Sequence, residues 1–272
     1  MSESLVTIDI QDHIADVRLN RPEKMNALSD AMFSAIVEAA KEIAHNKSVR
    51  AVVLSGNGRA FCAGLDMASL QESTTLVETF SKGSDSFPNF FQQPAMVWKS
   101  LPVPVICAMH GTVFGGGLQI ALGADIRIAH PDTRMSVMEI KWGLVPDMSA
   151  TQTLRDLVRL DVARDLAYTG RVFEGPEALQ LGLVTALADD AHAVAMQRAG
   201  SIAARNPDAI AGIKYLFDKA WHGNSDAGLG LEERVQAKVI MRANQLEAVS
   251  AGFEKRDPTF KDREIDTFEG LA

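Results

Sequence analysis

Cysteine is nearly absent: the 272 residues contain two, Cys62 and Cys107, each inside an apolar stretch. So small a set excludes a disulfide-stapled scaffold and a thiolate metal centre, and predicts buried free thiols in a reducing compartment. Aromatic residues make up only 6% of the chain. No apolar run approaches the roughly 18 residues of a membrane span. The opening MSESLVTIDIQDH carries early acids and no basic stretch leading into an apolar one, so no leader is expected and the default address is the cytoplasm. Positive charge is in deficit, with 27 Lys and Arg against 35 Asp and Glu, a net charge of −8. That surface repels phosphate backbones and anionic headgroups, which argues against nucleic acid or a membrane as a general partner. The six histidines, at 13, 45, 110, 130, 192 and 222, are scattered without ligand spacing, so no metal is expected.

What is present is an ordinary globular balance, 47% hydrophobic and 23% charged, with enough chain for one large domain or a domain with a small appendage. Residues 5–10 and 14–19 alternate like the arms of a hairpin. Ser29 stands where it can cap a helix, with Asp30 in the first turn and Met32, Phe33, Ile36, Val37, Ala40 and Ile43 at helical spacing. Residues 51–54, 104–109 and 125–129 read as strands. The stretch 71–99 is less regular and holds Phe80, Phe87, Phe90, Phe91 and Trp98; these bury a helix face by default, or else line an apolar pocket. Strand, turn and helix alternate to about residue 184, and the pattern then turns helical over 191–204, 209–221 and 229–253. The order predicts an α/β core of stacked crossover units over 1–190 and a helical C-terminal region over 191–272.

Two glycine-bearing turns stand out, residues 58–67 (GRAFCAGLDM) and 110–119 (HGTVFGGGLQ). Each follows a strand and opens toward a helix, which exposes backbone N–H groups at the positive end of a helix dipole. Two such turns facing each other can hold a developing oxyanion, and glycine lets a bulky ligand approach the backbone. Either alone is an ordinary tight turn. A nucleotide loop is excluded, since the second turn lacks G-x-G-x-x-G spacing and no Lys-Ser/Thr follows it.

Together with RPEKMNAL (21–28), PVICAMHGTVFGGGLQIALGADIRIA (104–129), MEIKWGLVPD (138–147), TGRVFEGPEALQLGLV (169–184) and FEKRDPTFKDR (253–263), the block AFCAGLDM (60–67) resembles the crotonase, or enoyl-CoA hydratase/isomerase, superfamily over almost the whole chain. The resemblance implies a spiral of ββα units, a homotrimer or dimer of trimers built on the C-terminal helices, and an acyl-CoA substrate with no separate cofactor, coenzyme A being part of the substrate. It implies oxyanion donors at the N–H groups of Ala63 and Gly116. It places CoA contacts at Lys24, Ala63, Gly64, Leu65 and Asp66, with Lys255 and Lys261 in a tail that reaches CoA of the same or a neighbouring subunit. Hydratases of this family hold a water between two glutamates. Here the later one is kept as Glu139, and the earlier position is Gln119, an amide that can orient a water but cannot act as a base. Asp147 stands where dienoyl-CoA isomerases carry an aspartate; it is either a second acid/base or a cap for a helix beginning near Ser149. The expectation is a double-bond isomerase acting through a thioester enolate. The alternatives are a hydratase using Glu139 and a Gln119-oriented water, another acyl-CoA reaction of the superfamily, and a non-catalytic acyl-CoA binder.

Overall fold

Asp12 and His13 both lie at positive φ, at 48° and 67°, the conformation that a two-residue hairpin loop needs to match strand twist. They join β1 (Val6–Gln11) to β2 (Ile14–Leu19) in an antiparallel ladder. The computed structural model describes residues 4–71 and 74–271. From β2 the sheet continues in parallel through β3 (Ala51–Gly56), β4 (Val105–Met109), β6 (Ile126–Ala129) and β8 (Ala186–Leu187), in the order β1-β2-β3-β4-β6-β8. A separate parallel ladder pairs β5 (Thr112–Phe114) with β7 (Arg134–Ser136). With three residues each, those two strands are too short for periodicity to reveal.

Every residue of β4 is buried, as a sheet covered on both faces requires. One face packs on α1 (Asp30–His45), whose Ser29 side chain caps Met32 N–H and whose apolar stripe is the predicted one. The other face packs on α9 (Ala191–Ala203) through Ala191, Ala195, Ala199 and Ala203, which lie against Val53, Ile106 and Ile128. Alanine at every fourth position lets that helix lie close to the strands. α9 is thus a layer of the α/β core. The separate C-terminal core belongs to α10 (Pro207–Ala220) and α11 (Ser225–Val239), with Phe268 of the tail.

The stretch 71–99 is more helical than its sequence suggests. It holds the end of α2 (Met67–Gln71), then α3 (Thr74–Lys82) and α4 (Gln93–Ser100), with residues 72 and 73 outside those described. Phe91 and Trp98 are buried, Phe91 edge-on to Phe33 at 5.4 Å, whereas Phe87 is 75% exposed. The single helix expected over 229–253 is two, α11 and α12 (Ala243–Glu254). Met241 at φ 63° breaks it, and its N–H donates to Gln245 Oε1 at 2.9 Å. The apolar spacing runs on through the break, so periodicity could not show it. Shorter helices α5 (Gly116–Leu122), α6 (Ala150–Thr153), α7 (Leu160–Thr169) and α8 (Gly175–Leu181) complete the crossovers. Among the described residues, no helix is long and apolar enough to cross a membrane.

Candidate active site

The turns that follow β3 and β4 meet at the carboxyl end of the parallel sheet, where ligands of such sheets bind. Cys62 N–H donates to Thr112 O, and Phe114 N–H to Cys62 O, both at 3.1 Å. The contact leaves no room for a side chain at Gly64 (φ 92°), whose Cβ would stand 2.8 Å from Phe114 O and 3.9 Å from Gly116 N. The pairing of turns expected from the glycines is therefore present. One donor must be corrected. Ala63 N–H is not open to a ligand, because it donates to Met25 O at 2.9 Å. Leu65 N–H, two residues on, has no acceptor among the described residues, and neither has Gly116 N–H at the start of α5. The resemblance put the donor at Ala63; the bond to Met25 is a long-range contact with no local signal.

Gly115 has φ 51° and ψ −123°, a conformation closed to residues with a Cβ, and it turns the chain into α5. A Cβ there would lie 3.4 Å from Glu139 Oε1, so the Glu139 carboxylate stands directly beside the second turn. Glu139 opens a short 3-10 turn, Glu139–Trp142, closed by Gly143 at φ 70°. It is 7% exposed. Its Oε1 accepts from Gln119 Nε2 at 2.5 Å, and its Oε2 is buried with no partner. Burial pushes its pKa above the ordinary value, opposed by the Gln119 bond, and the nearby Asp147 charge adds to the rise.

Gln119 is bonded at both ends: its Oε1 accepts from Ala150 N–H at 3.1 Å. One buried amide thus links α5, the Glu139 turn and the start of α6. Asp147 does not cap α6 either. The N-cap is Ser149, at φ 78° and with no side-chain cap bond, and Gln119 satisfies the first N–H. Asp147 instead lines a cavity of about 650 Å³ together with Phe87, Pro88, Gln92, Met96 and Val145. Burial raises its pKa as well. Of the aromatic stretch, Phe87 is the ring that faces this cavity. A buried carboxylate with one bare oxygen, a second carboxyl close by and two backbone donors can remove and return a proton beside a carbonyl.

The remaining expected contacts divide between the two ends of the sheet. Lys24 is exposed at the end of a 3-10 turn, Pro22–Lys24, next to the first turn: a Cβ on Gly58 would touch Pro22. Asp66 is committed to Arg21, with Nη1 at 2.8 Å from its Oδ2, which holds its carboxyl below the ordinary range despite partial burial. Arg21 was not singled out in the sequence; a partner 45 residues away leaves no spacing to read. Lys255 terminates α12 at φ 55°, and the Lys261 backbone is tied to Asn244. That tail is held by Arg50, which donates to Phe260 O at 2.8 Å, at the amino end of β3. The six residues of β3 separate it from the first turn by roughly 20 Å. Lys261 is thus held away from the first turn within one chain, and among the described residues no hydrogen bond or ion pair joins Lys255 to that turn. Among the described residues, no group of His, Cys, Asp and Glu could hold a metal ion. Cys62, facing Asn26 O, is pushed up to about 12 by burial and stays a thiol.

Comparison with known proteins identifies the family and the fold. The sequence profile described as enoyl-CoA hydratase/isomerase matches residues 9–263. A Bacillus subtilis protein named as an enoyl-CoA hydratase/isomerase is 33% identical over 264 residues, covering 96% of this chain and 99% of its own. The mitochondrial Delta(3,5)-Delta(2,4)-dienoyl-CoA isomerase of Mus musculus is 30% identical, covering 94% of this chain and 81% of its own. The crystal structure of an enoyl-CoA hydratase from Bacillus anthracis superposes with a TM-score of 0.87 at 28% identity, covering 94% of this chain and 99% of that one.

Proposed function

The chain belongs to the enoyl-CoA hydratase/isomerase family, and from that premise we propose that it isomerises a double bond in an acyl-CoA thioester. The observation that carries this reading is the Gln119–Glu139 bond at 2.5 Å, in which an amide stands where a hydratase has its second glutamate, leaving Glu139 as the carboxylate beside the second glycine turn with Asp147 as its neighbour. The thioester oxygen accepts from Leu65 N–H and Gly116 N–H, which lowers the cost of the enolate. Glu139 Oε2 takes a proton from the acidified carbon, and the electrons of that C–H bond flow into the enolate. On collapse, a carboxyl group returns a proton further along the chain, a role this reading gives to Asp147, which lines the cavity. Protons and electrons balance without added water. Hydration would need a water held between Glu139 and residue 119, where Gln119 already donates to Glu139 itself and, unlike a second carboxylate, supplies no base.

Coenzyme A enters as part of the substrate, with Lys24 near its nucleotide, and no separate cofactor takes part. A homotrimer, single or paired, brings Lys255 and Lys261 of a second copy toward that nucleotide. The reading is tested by an ultraviolet assay with a dienoyl-CoA and, separately, a trans-2-enoyl-CoA. Conversion of the dienoyl ester alone is expected. Hydration of the enoyl ester alone assigns Glu139 to a hydratase, and binding of both esters without turnover moves the protein to another acyl-CoA reaction or to a binding role.

A further inference from the structure

Asn26 is fully buried, yet it touches neither proposed carboxyl group. Its Nδ2 faces three carbonyls of the first turn, Asn57 O at 3.0 Å, Ala60 O at 2.9 Å and Phe61 O at 3.1 Å. Its Oδ1 accepts from Arg21 N–H at 2.8 Å, and its backbone oxygen accepts from Cys62 Sγ at 3.1 Å. It lies at φ 54°, which asparagine tolerates better than most side chains. A Cβ on Gly56 would stand 2.8 Å from its amide nitrogen, so the strand end is shaped around it.

Segment 21–28 extends the same template along the turn. Met25 O takes Ala63 N–H, Leu28 N–H donates to Gly64 O at 2.8 Å, and Asp66 N–H donates to Leu28 O at 2.9 Å. On the opposite side, Phe61 N–H goes to His110 O at 3.0 Å and Cys62 N–H to Thr112 O. The turn is clamped between two segments, and the N–H groups of Phe61, Cys62, Ala63 and Asp66 are all occupied. Leu65 N–H is left without an acceptor. A donor held in place before the reaction needs no reorganisation during it, which is the source of its catalytic value.

Resting on the oxyanion assignment above, we propose that Asn26 is a positioning residue that fixes the first turn so that Leu65 N–H meets the enolate oxygen. A carboxylate or hydrocarbon at 26 could not donate to these carbonyls. Neither could a glutamine, whose extra methylene has no room in a site with no exposed surface.

The test measures enolisation of bound acetoacetyl-CoA, whose enolate absorbs in the ultraviolet, in wild type, Asn26→Ala and Asn26→Ser. The expected result is a higher pH midpoint for the bound enolate in both variants and a kcat loss on the order of 10²-fold. KM and the affinity for a saturated acyl-CoA, which forms no enolate, are expected to hold within about threefold. Unchanged enolisation in a folded variant overturns the proposal, as does a loss confined to KM. Should wild type fail to enolise the ligand, the oxyanion assignment itself falls, which is a separate result. Hydrogen exchange on free wild type covers the case in which neither variant folds. Protected amides at Phe61, Cys62, Ala63 and Asp66 before ligand are expected, and protection that appears only with ligand overturns preorganisation by Asn26.

Discussion

At the scale of single residues, Glu139 makes the sharpest predictions because its environment is legible atom by atom. Glu139→Gln should lower turnover on the order of 10²–10⁴-fold with acyl-CoA binding retained, since the amide keeps the shape and loses the base. Steady-state and binding measurements on one preparation check this. Burial raises the pKa of Glu139 and of Asp147, so the folded state holds their protons more tightly than the unfolded chain does. Stability from these groups is then fully present at acid pH and is lost as pH rises from the ordinary value, 4.5 for Glu139, through the raised one. Glu139→Gln should therefore be more stable than wild type at neutral pH, and the gain should shrink as pH falls toward 4.5. A constant gain across that range would show that burial does not penalise the carboxylate. Asp147→Asn should cost little stability, because Ser149 and Gln119 form the start of α6 without it, and should remove isomerisation. A large fall in melting temperature with normal activity reverses that assignment. Glu139 and Gln119 were legible in sequence through the blocks that resemble the family's, not through local spacing, since they stand 20 positions apart. The choice of Leu65 over Ala63 was not, because it depends on Met25, 38 positions earlier.

At the scale of elements, Gln119 joins three pieces of chain that the sequence presents as unrelated. Its helix, the Glu139 turn and the start of α6 share one buried amide. Gln119→Leu strands Glu139 Oε1 and the Ala150 N–H in a buried place, and should destabilise by about 1–3 kcal/mol for each group left unpaired. Denaturant midpoints at matched pH give the value, and a neutral effect would mean that water reaches both groups. Gln119→Glu places a second ionisable group beside Glu139. It should move one of the pair further up in pKa and add hydration of a trans-2-enoyl-CoA, which the ultraviolet assay reads directly. Helix α1 and the hairpin were readable because capping and alternation act over a few residues. The break at Met241 and the ladder of β5 with β7 were not, since one is a backbone conformation and the other a long-range pairing.

Taken whole, the molecule is a sheet with two covered faces and a site at its carboxyl end, and the C-terminal helices are fastened to the other end. The expectation of an α/β core followed by helices was legible from the change in pattern near residue 190. Sequence alone could not tell that α9 is spent covering the sheet, because its alanines carry no sign of the partner they meet. What fastens the rest is Lys214 in α10, 8% exposed, whose Nζ donates to Trp98 O at 2.9 Å, Val103 O at 3.0 Å and Asp125 Oδ2 at 2.8 Å. Those acceptors lie in α4, before β4 and before β6, at the amino end of the strands and away from the glycine turns. Lys214→Met keeps most of the packing volume and removes all three bonds. It leaves two carbonyls short of a donor, while Asp125, whose side chain is 28% exposed, recovers water and still accepts from Val105 N–H. The loss should therefore fall at or below the lower end of what breaking a buried pair costs, about 3 kcal/mol, with kcat unchanged below the unfolding transition. Equilibrium unfolding and an activity assay on the same sample decide it. A wild-type midpoint would mean that the apolar contacts of α10 and α11 hold the region unaided, and a fall in kcat without unfolding would mean that the two ends of the sheet are coupled.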